Sequence, residues 1–531
     1  MRSSHLLTLP ALALATPFDL KSRQNNVNSS GITWGKCHDP LIPGNSSLQC
    51  GSLDVPLDYT NEDSGATLAL EIVRAPTPKV PSKGSIFFNA GGPGASGIED
   101  LVALASRIQF TTNYDYDIVN IVPRGTNSTL PFSCYQDTAS STYAGLTLAA
   151  SAYDTAPANI WVQSQLFADN CAAMQTENGT LIGTAFTARD LMRVVDVLEE
   201  DGLLRYWAPS YGTLLGATVA AMFPDKIDKM VLDGVVNPTL YYRNNESETF
   251  TSIDGTFNGF CVGCAENPDK CPLAMNQTAD EVKQGIFKML EGLRTDPLAI
   301  PTPGGPLGGI VLDYSFVKNL IGSSLYYPSK WSGMASQLFA VQQRNLTLIS
   351  EILSAGAAGG GDATGSNALQ TAVAPDSNAR DGIKCSDVLT HAANRSEFQS
   401  ALDARHAAGY FADAADDLPT RCAQWKLPAK ERYDGDFKVK TTKPILLINN
   451  EFDPATPLVS AKNVSETFEN AVLVEQRGGY GHTIWAHVSP CTVQHIATYF
   501  ANGTVPEKGA ICDVTVPLLS GLTGWEEILG A

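Results

Sequence analysis

The chain has 531 residues, 44% of them hydrophobic and 17% charged, an ordinary globular composition with enough apolar material for a large core. Its formal net charge of −19 argues against nucleic acid and anionic membrane surfaces as partners, since both would repel it. The same charge suits a soluble protein in acidic or extracellular surroundings.

At the start of the chain, Arg2 and His5 precede the apolar stretch Leu6 to Leu14, and Ala13-Leu14-Ala15 offers a small-x-small cleavage site. Residues 1–15 therefore read as a secretory signal peptide, too short for a membrane span. No later run of about 18 apolar residues occurs, and Val514 to Ala531 lacks the apolar tail of a lipid-anchor signal. Sequons at Asn28, Asn45, Asn127, Asn178, Asn245, Asn276, Asn345, Asn394, Asn463 and Asn502 point to a eukaryotic glycoprotein. Eleven cysteines lie far apart without a paired CxxC…CxxC zinc pattern. The lone Cys261-Val262-Gly263-Cys264 admits redox or metal chemistry, but in a secreted chain disulfides are the expectation.

Asn25 to Ile32 reads as a disordered lead-in. Leu68, Leu70 and Ile72 alternate with other residues after a turn near Asn61 to Gly65, which predicts an early strand. Ser85 to Phe88 is a short buried strand ending in Asn89-Ala90-Gly91-Gly92-Pro93-Gly94-Ala95-Ser96-Gly97. Glycines after a strand let backbone N–H groups approach a ligand. A nucleotide loop lacks support here, because the P-loop lysine and the GxGxxG spacing are absent. The other reading is half of an oxyanion hole, with Gly92 the preferred donor and Gly91 next. Asp117 to Val122 is a further strand, followed by Arg124, for which a structural salt bridge is weighed against carboxylate binding. Thr187 with Asp190 reads as a capping box opening a helix that buries Ala188, Leu191, Met192, Val195 and Leu198.

Next comes Leu203 to Trp207, a strand-like run, then Ala208-Pro209-Ser210-Tyr211-Gly212 and a helical pattern to Phe223. A serine on such a turn exposes its hydroxyl above the sheet, and the N–H of Tyr211 can face an oxyanion. Positions two before and two after the serine must be small, which Ala208 and Gly212 satisfy. The strand Met230 to Leu232 ends in Asp233-Gly234. Strands alternating with helices predict an α/β fold with a mostly parallel sheet and helices on both faces.

From Pro238 to Thr442 the pattern changes, with helical stretches at Ala279 to Leu293 and Ser336 to Leu353 and a Gly/Ala-rich loop within 354–366. Residues 238–442 are read as an inserted, mainly helical cap between the core segments 16–237 and 443–531. The sheet resumes at Ile445 to Ile448, placing Asp453 just past a strand, and Val472 to Val474 leads to His482. Ser210, Asp453 and His482 thus follow the chain order Ser…Asp…His, each after a strand, as the α/β-hydrolase arrangement requires. A serine hydroxyl becomes nucleophilic when an imidazole takes its proton and a carboxylate orients that imidazole. Asp233 stands as a rival acid, and His487 and His495 as rival bases.

The chain resembles the secreted α/β-hydrolases of the tripeptidyl aminopeptidase type, relatives of proline iminopeptidases with a TAP-like C-terminal region. The resemblance rests on Phe87 to Gly94, Ser210 to Gly216, Val231 to Val236, Asp453-Pro454-Ala455-Thr456-Pro457, Gly481-His482, and Tyr499 to Pro506 with Cys512. It implies a serine hydrolase that removes short peptides or single residues from free N-termini, with Ser210 as nucleophile, Asp453 as acid and His482 as base. It also implies disulfides Cys37–Cys50, Cys134–Cys171, Cys264–Cys271, Cys385–Cys422 and Cys491–Cys512, with Cys261 unpaired. The family has glycine at the position of Ala208, and an acidic residue and a glycine where this chain has Val122 and Asn127. An aminopeptidase also needs an anionic site for the substrate's ammonium group. The inserted span offers Glu266, Asp269 and other acids, and no spacing singles one out. Cleavage of an ester, lactone or amide in a small metabolite by the same triad is the alternative, and a hydrolase-like binding protein without turnover is a third reading. None of these needs a metal or organic cofactor.

Overall fold

The computed structural model describes residues 26–27, 31–44, 46–137, 140, 148–199, 201–301, 308–349, 351 and 377–530. The expected signal peptide, the sequons at Asn28 and Asn45, the glycine-rich loop 354–366 and the end of the helix expected to reach Leu353 lie outside the described residues. The strands are β1 (Asn26–Val27), β2 (Thr33–Lys36), β3 (Gln49–Pro56), β4 (Thr67–Ala75), β5 (Ser85–Phe88), β6 (Asp117–Ile121), β7 (Leu204–Pro209), β8 (Ile227–Asp233), β9 (Leu298–Pro301), β10 (Gly309–Leu312), β11 (Ile445–Phe452), β12 (Val472–Tyr480) and β13 (Ala510–Asp513).

Eleven of them form one sheet in the order β1-β2-β3-β4-β6-β5-β7-β8-β11-β12-β13, while β9 and β10 make a separate hairpin. Pairing is antiparallel from β1 to β4 and between β4 and β6, then parallel from β6 to β13. The central strands are apolar on both faces because helices cover both; all four residues of β5 and all six of β7 are buried. Their side chains alternate between two cores. Phe87, Tyr206, Ala208, Leu232 and Leu447 pack toward the helices Ala156–Met174, Thr184–Leu198 and Tyr211–Met222. Phe88, Trp207, Val231 and Leu446 pack toward the helices Ile98–Thr111 and Pro490–Asn502. This is the α/β-hydrolase architecture expected.

The span 238–442 divides by its packing. Residues between Ile253 and Ile349 build a core of their own around Phe257, Phe260, Ile286, Leu290, Val317 and Trp331. The helix Ala279–Leu293 has the bounds the sequence gives it; its buried stripe is Val282, Ile286, Leu290 and Leu293, and Thr278 and Glu281 form a capping box. By contrast Ile383, Cys385, Val388, Cys422, Trp425 and Phe437 join the core beneath the sheet.

Three local expectations are corrected. Asn26–Val27 is paired antiparallel with Trp34 and Thr33, and Ile32 is wholly buried, so the stretch read as a disordered lead-in contains a strand of the sheet edge. The helix expected from Ser336 starts at Trp331 and ends at Gln342, because Trp331, Met334, Ala335, Leu338 and Val341 extend the buried stripe and Arg344 takes φ 52°. The helix Thr184–Leu198 starts before Thr187, so no capping box forms there; the Thr187 hydroxyl lies 3.5 Å from the Gly183 carbonyl, and Asp190 is committed to Arg124. That buried pair is bidentate at 2.6 and 2.9 Å, and Arg124 also donates to the carbonyls of Pro56 and Leu57 at 2.6 Å. Arg124 is a structural brace and lines neither lobe of the cavity described below.

Candidate active site

β7 ends at Pro209 and the helix Tyr211–Met222 begins after a single intervening residue, leaving Ser210 alone at the apex with φ 58° and ψ −133°. Such a conformation costs a non-glycine residue about 1–3 kcal/mol and persists only when its surroundings hold it. Here the Ser210 N–H donates to the Asp233 carbonyl at 2.9 Å, and the Ser210 carbonyl accepts from Thr213 N–H at 2.8 Å and from its hydroxyl at 2.6 Å. A Cβ on Gly212 would lie 2.4 Å from the Asn89 carbonyl oxygen and 2.7 Å from the Ala208 Cβ. The tight side of the elbow is therefore position 212. The methyl of Ala208 fits against it.

Asp453 follows β11 and His482 follows β12, on adjacent parallel strands. Both carboxylate oxygens of Asp453 lie 3.0 Å from His482 Nδ1, and the carboxylate is wholly buried. It also accepts from the N–H groups of Ala455, Thr456 and Thr483 at 2.9, 2.8 and 3.1 Å and from the Thr456 hydroxyl at 2.9 Å. With Nδ1–H donated to this anion, His482 keeps Nε2 as an acceptor. The ring is further set by Tyr326, whose carbonyl accepts from His482 N–H at 2.9 Å and whose ring meets the imidazole edge-on at 5.0 Å. Ser210 and His482 line the same cavity. Among the described residues the Ser210 hydroxyl has no hydrogen-bond partner, and contacts of this kind commonly tighten only when substrate binds.

The rivals are engaged elsewhere. Asp233 is buried and accepts from Ile484 N–H at 3.1 and 3.2 Å; burial, with the nearby Asp453 charge, pushes its carboxyl well above the ordinary range. His487 is buried, its Nδ1 accepts from Tyr480 N–H at 3.3 Å, and burial pulls it down to about 4, so it is neutral. His495 sits on the helix Pro490–Asn502 beside Cys491 and Cys512, which are joined to each other and so supply no metal ligands.

In the loop after β5, Gly91 N–H donates to Asn89 Oδ1 at 3.1 Å, whereas the N–H groups of Gly92 and Tyr211 have no partner among the described residues. A Cβ on Gly91 would stand 3.0 Å from both Ser210 Cβ and Tyr211 N, so only glycine lets this loop lie against the elbow.

The cavity at Ser210 has two lobes that share Gly92, Ser210 and Tyr326. One, of about 310 Å³, contains Tyr211, Asn237, Glu246 and Glu248. The other, of about 470 Å³, contains His482, Asp100, Arg107 and Glu526. Glu246 is paired with Lys384 at 3.0 Å and with Arg405. Glu248 accepts only from neutral groups, Asn237 at 3.1 Å, Ser460 at 2.9 Å and Asn463, with no cation in ion-pair range among the described residues. Glu266 and Asp269 are exposed and line neither lobe. Glu246 and Glu248 escape a sequence reading because they sit in an irregular stretch after the short helix Pro238–Tyr242, inside and beside a sequon; the only signal is their closeness to the strand-end motif at Asp233.

The structure joins the five cysteine pairs that the resemblance implies, leaving Cys261 free and buried. Among the sequons, Asn127, Asn276, Asn345, Asn394 and Asn502 are exposed and Asn178, Asn245 and Asn463 half-buried.

Residues 408–512, the segment that carries Asp453 and His482, match the family model described as TAP-like protein. Tripeptidyl aminopeptidase of Streptomyces lividans is 28% identical over 500 residues, covering 91% of this chain and 87% of the relative. Serine protease Hip1 of Mycobacterium tuberculosis is 25% identical over 489 residues, covering 91% of each. Carboxylesterase B of the same organism is 27% identical over 495 residues, covering 90% of this chain and 89% of the relative. Taken with the eleven-stranded sheet and the serine at its strand-to-helix turn, these likenesses make the chain an α/β-hydrolase of the serine hydrolase type with a TAP-like C-terminal region.

Proposed function

We propose that the protein is a secreted serine exopeptidase that releases short peptides or single residues from free N-termini through an acyl-enzyme on Ser210. The observation that carries this reading is the 3.0 Å Asp453–His482 pair opening onto the cavity that also holds the strained Ser210. His482 Nε2 takes the hydroxyl proton as Ser210 Oγ attacks the scissile carbonyl. The N–H groups of Gly92 and Tyr211 hold the developing oxyanion, a donor of this kind contributing roughly 10²–10³ in rate. His482 then returns the proton to the leaving amine, and water repeats the cycle on the ester. Nucleophile, base and donors all come from the chain.

The sides of the scissile bond follow from the proton's path. The leaving amine has to meet His482, so the leaving peptide occupies the larger lobe. The acyl part then lies in the lobe of Tyr211, where Glu248, a carboxylate without a cation, suits the free α-ammonium group. The inserted span acts as a cap that restricts entry to chain ends; it reaches the site through Tyr326, which lines both lobes. Five disulfides and five exposed described sequons support an extracellular glycoprotein. Among the described residues no helix is long and apolar enough to cross a membrane.

The likeness to a carboxylesterase favours a second reading, ester cleavage by the same three residues. The two separate on matched substrates: tripeptide arylamides with a free amine, their N-acetyl forms, and simple esters. The exopeptidase reading expects the free-amine peptides to be cleaved at least tenfold better than their acetyl forms, and Glu248→Gln to remove that advantage by raising KM. Activity on esters with none on free-amine peptides contradicts it.

A further inference from the structure

The helix Ile98–Thr111 follows directly from the loop of Gly92 and turns one face to the larger lobe, presenting Asp100, Leu104 and Arg107 at spacings of four and three residues. Asp100 is in the first turn, beside the oxyanion loop. No side chain pairs with its carboxylate among the described residues, and burial, with Glu99 adding, pushes it up to about 6. Arg107 lies two turns further on. Its guanidinium stands over the Trp525 ring at 5.9 Å and has no hydrogen bond or ion pair among the described residues. Glu526 faces the same lobe, but its oxygens are engaged by Thr523 N–H at 3.0 Å, Gly524 N–H at 2.9 Å and the Thr523 hydroxyl at 2.9 and 3.1 Å. Lys330 adds a second positive group to the lining.

A half-buried arginine fork that makes no hydrogen bond, with the Glu526 carboxylate acting on it only through space, can still take a carboxylate, and an acid without a paired cation suits an ammonium group. Seven residues of helix separate the two, about 10 Å at 1.5 Å per residue. An extended peptide covers about 3.3–3.6 Å per residue, so about three residues span that distance. We infer that the larger lobe binds the leaving peptide as a short zwitterion, its new amine toward Asp100 and His482 and its terminal carboxylate on Arg107, so that the enzyme selects oligopeptides with a free C-terminus a few residues beyond the cleavage point. This assignment rests on the exopeptidase reading for which lobe receives the leaving group, but the binding it asserts does not require turnover.

The test is calorimetric binding of trialanine, trialaninamide and acetyl-trialanine to the full chain carrying Ser210→Ala, with and without Arg107→Gln or Asp100→Asn. Trialanine should bind about tenfold or more tighter than its amide, and Arg107→Gln should level the two while Arg107→Lys keeps part of the difference. Asp100→Asn should reduce the preference for trialanine over acetyl-trialanine and leave the acid-to-amide ratio in place. Equal affinity for acid and amide, or a preference that survives Arg107→Gln in folded protein, overturns the inference. Because no bond is cleaved, failure of the hydrolase reading would appear separately, as an unreactive Ser210 in the wild-type chain.

Discussion

Gly212 is where the elbow has least room, and a single methyl there tests the geometry. The added Cβ would lie 2.4 Å from the Asn89 carbonyl oxygen and 2.7 Å from Ala208 Cβ. Carbon atoms in ordinary contact are about 3.5–4.0 Å apart, so strand and helix must part by about 1 Å. Neither obstacle can swing aside, one being backbone and the other a Cβ. Overpacking of this kind costs typically about 1–3 kcal/mol. Kinetically the strain falls on Asn89, whose side chain holds Gly91 and through it the loop of Gly92. A displacement of about 1 Å in positioning groups costs on the order of 10² in rate. Gly212→Ala should therefore lose about 2 kcal/mol in urea unfolding and about 100-fold in kcat/KM on a free-amine tripeptide arylamide. Adding Ala208→Gly removes one obstacle and leaves the other, so the double variant should recover part of the loss. A Gly212→Ala protein with wild-type stability and kinetics would refute the tight-elbow argument.

Breaking the buried Arg124–Asp190 pair by Arg124→Met should destabilise the fold by about 3–5 kcal/mol in urea, while kcat of the folded protein stays within a few-fold. His487 titrates near 4 in the fold against an ordinary 6.5, so the unfolded chain binds more protons between these values and stability falls as pH drops through that window. The loss is about 3 kcal/mol by pH 4, and His487→Asn should flatten this limb in urea midpoints measured at pH 7, 5.5 and 4. Among the sequons, peptide mapping of protein expressed through a eukaryotic secretory pathway should find Asn276, Asn345 and Asn394 modified and Asn463 bare, because the Asn463 amide is spent on Glu248.

The parts of the fold legible in the sequence are those set by local pattern. The buried runs of β5 and β7, the amphipathic stripe of Ala279–Leu293 and the small residues flanking Ser210 are each written within a few residues of one another. The nearness of Asp453 and His482 is foreseeable because each stands at the end of an apolar strand. What escaped depends on distant partners. Asp190 reads as a cap from its neighbours alone, whereas Arg124, 66 residues away, claims its carboxylate. Glu246 is matched with Arg405 across 159 residues, and Asp100 and Arg107, which do not touch, come to line one cavity only because a helix puts them on the same face. The edge strand Asn26–Val27 has no apolar alternation of its own and is defined by its pairing with β2.

The central claim is that Ser210 is an activated nucleophile, and covalent labelling reads it directly. Wild-type protein treated with a fluorophosphonate and mapped by mass spectrometry should carry one adduct, on Ser210, and Ser210→Ala none, with labelling slowed strongly in His482→Ala. Folded wild-type protein that takes no label, or takes it at another serine, contradicts the account.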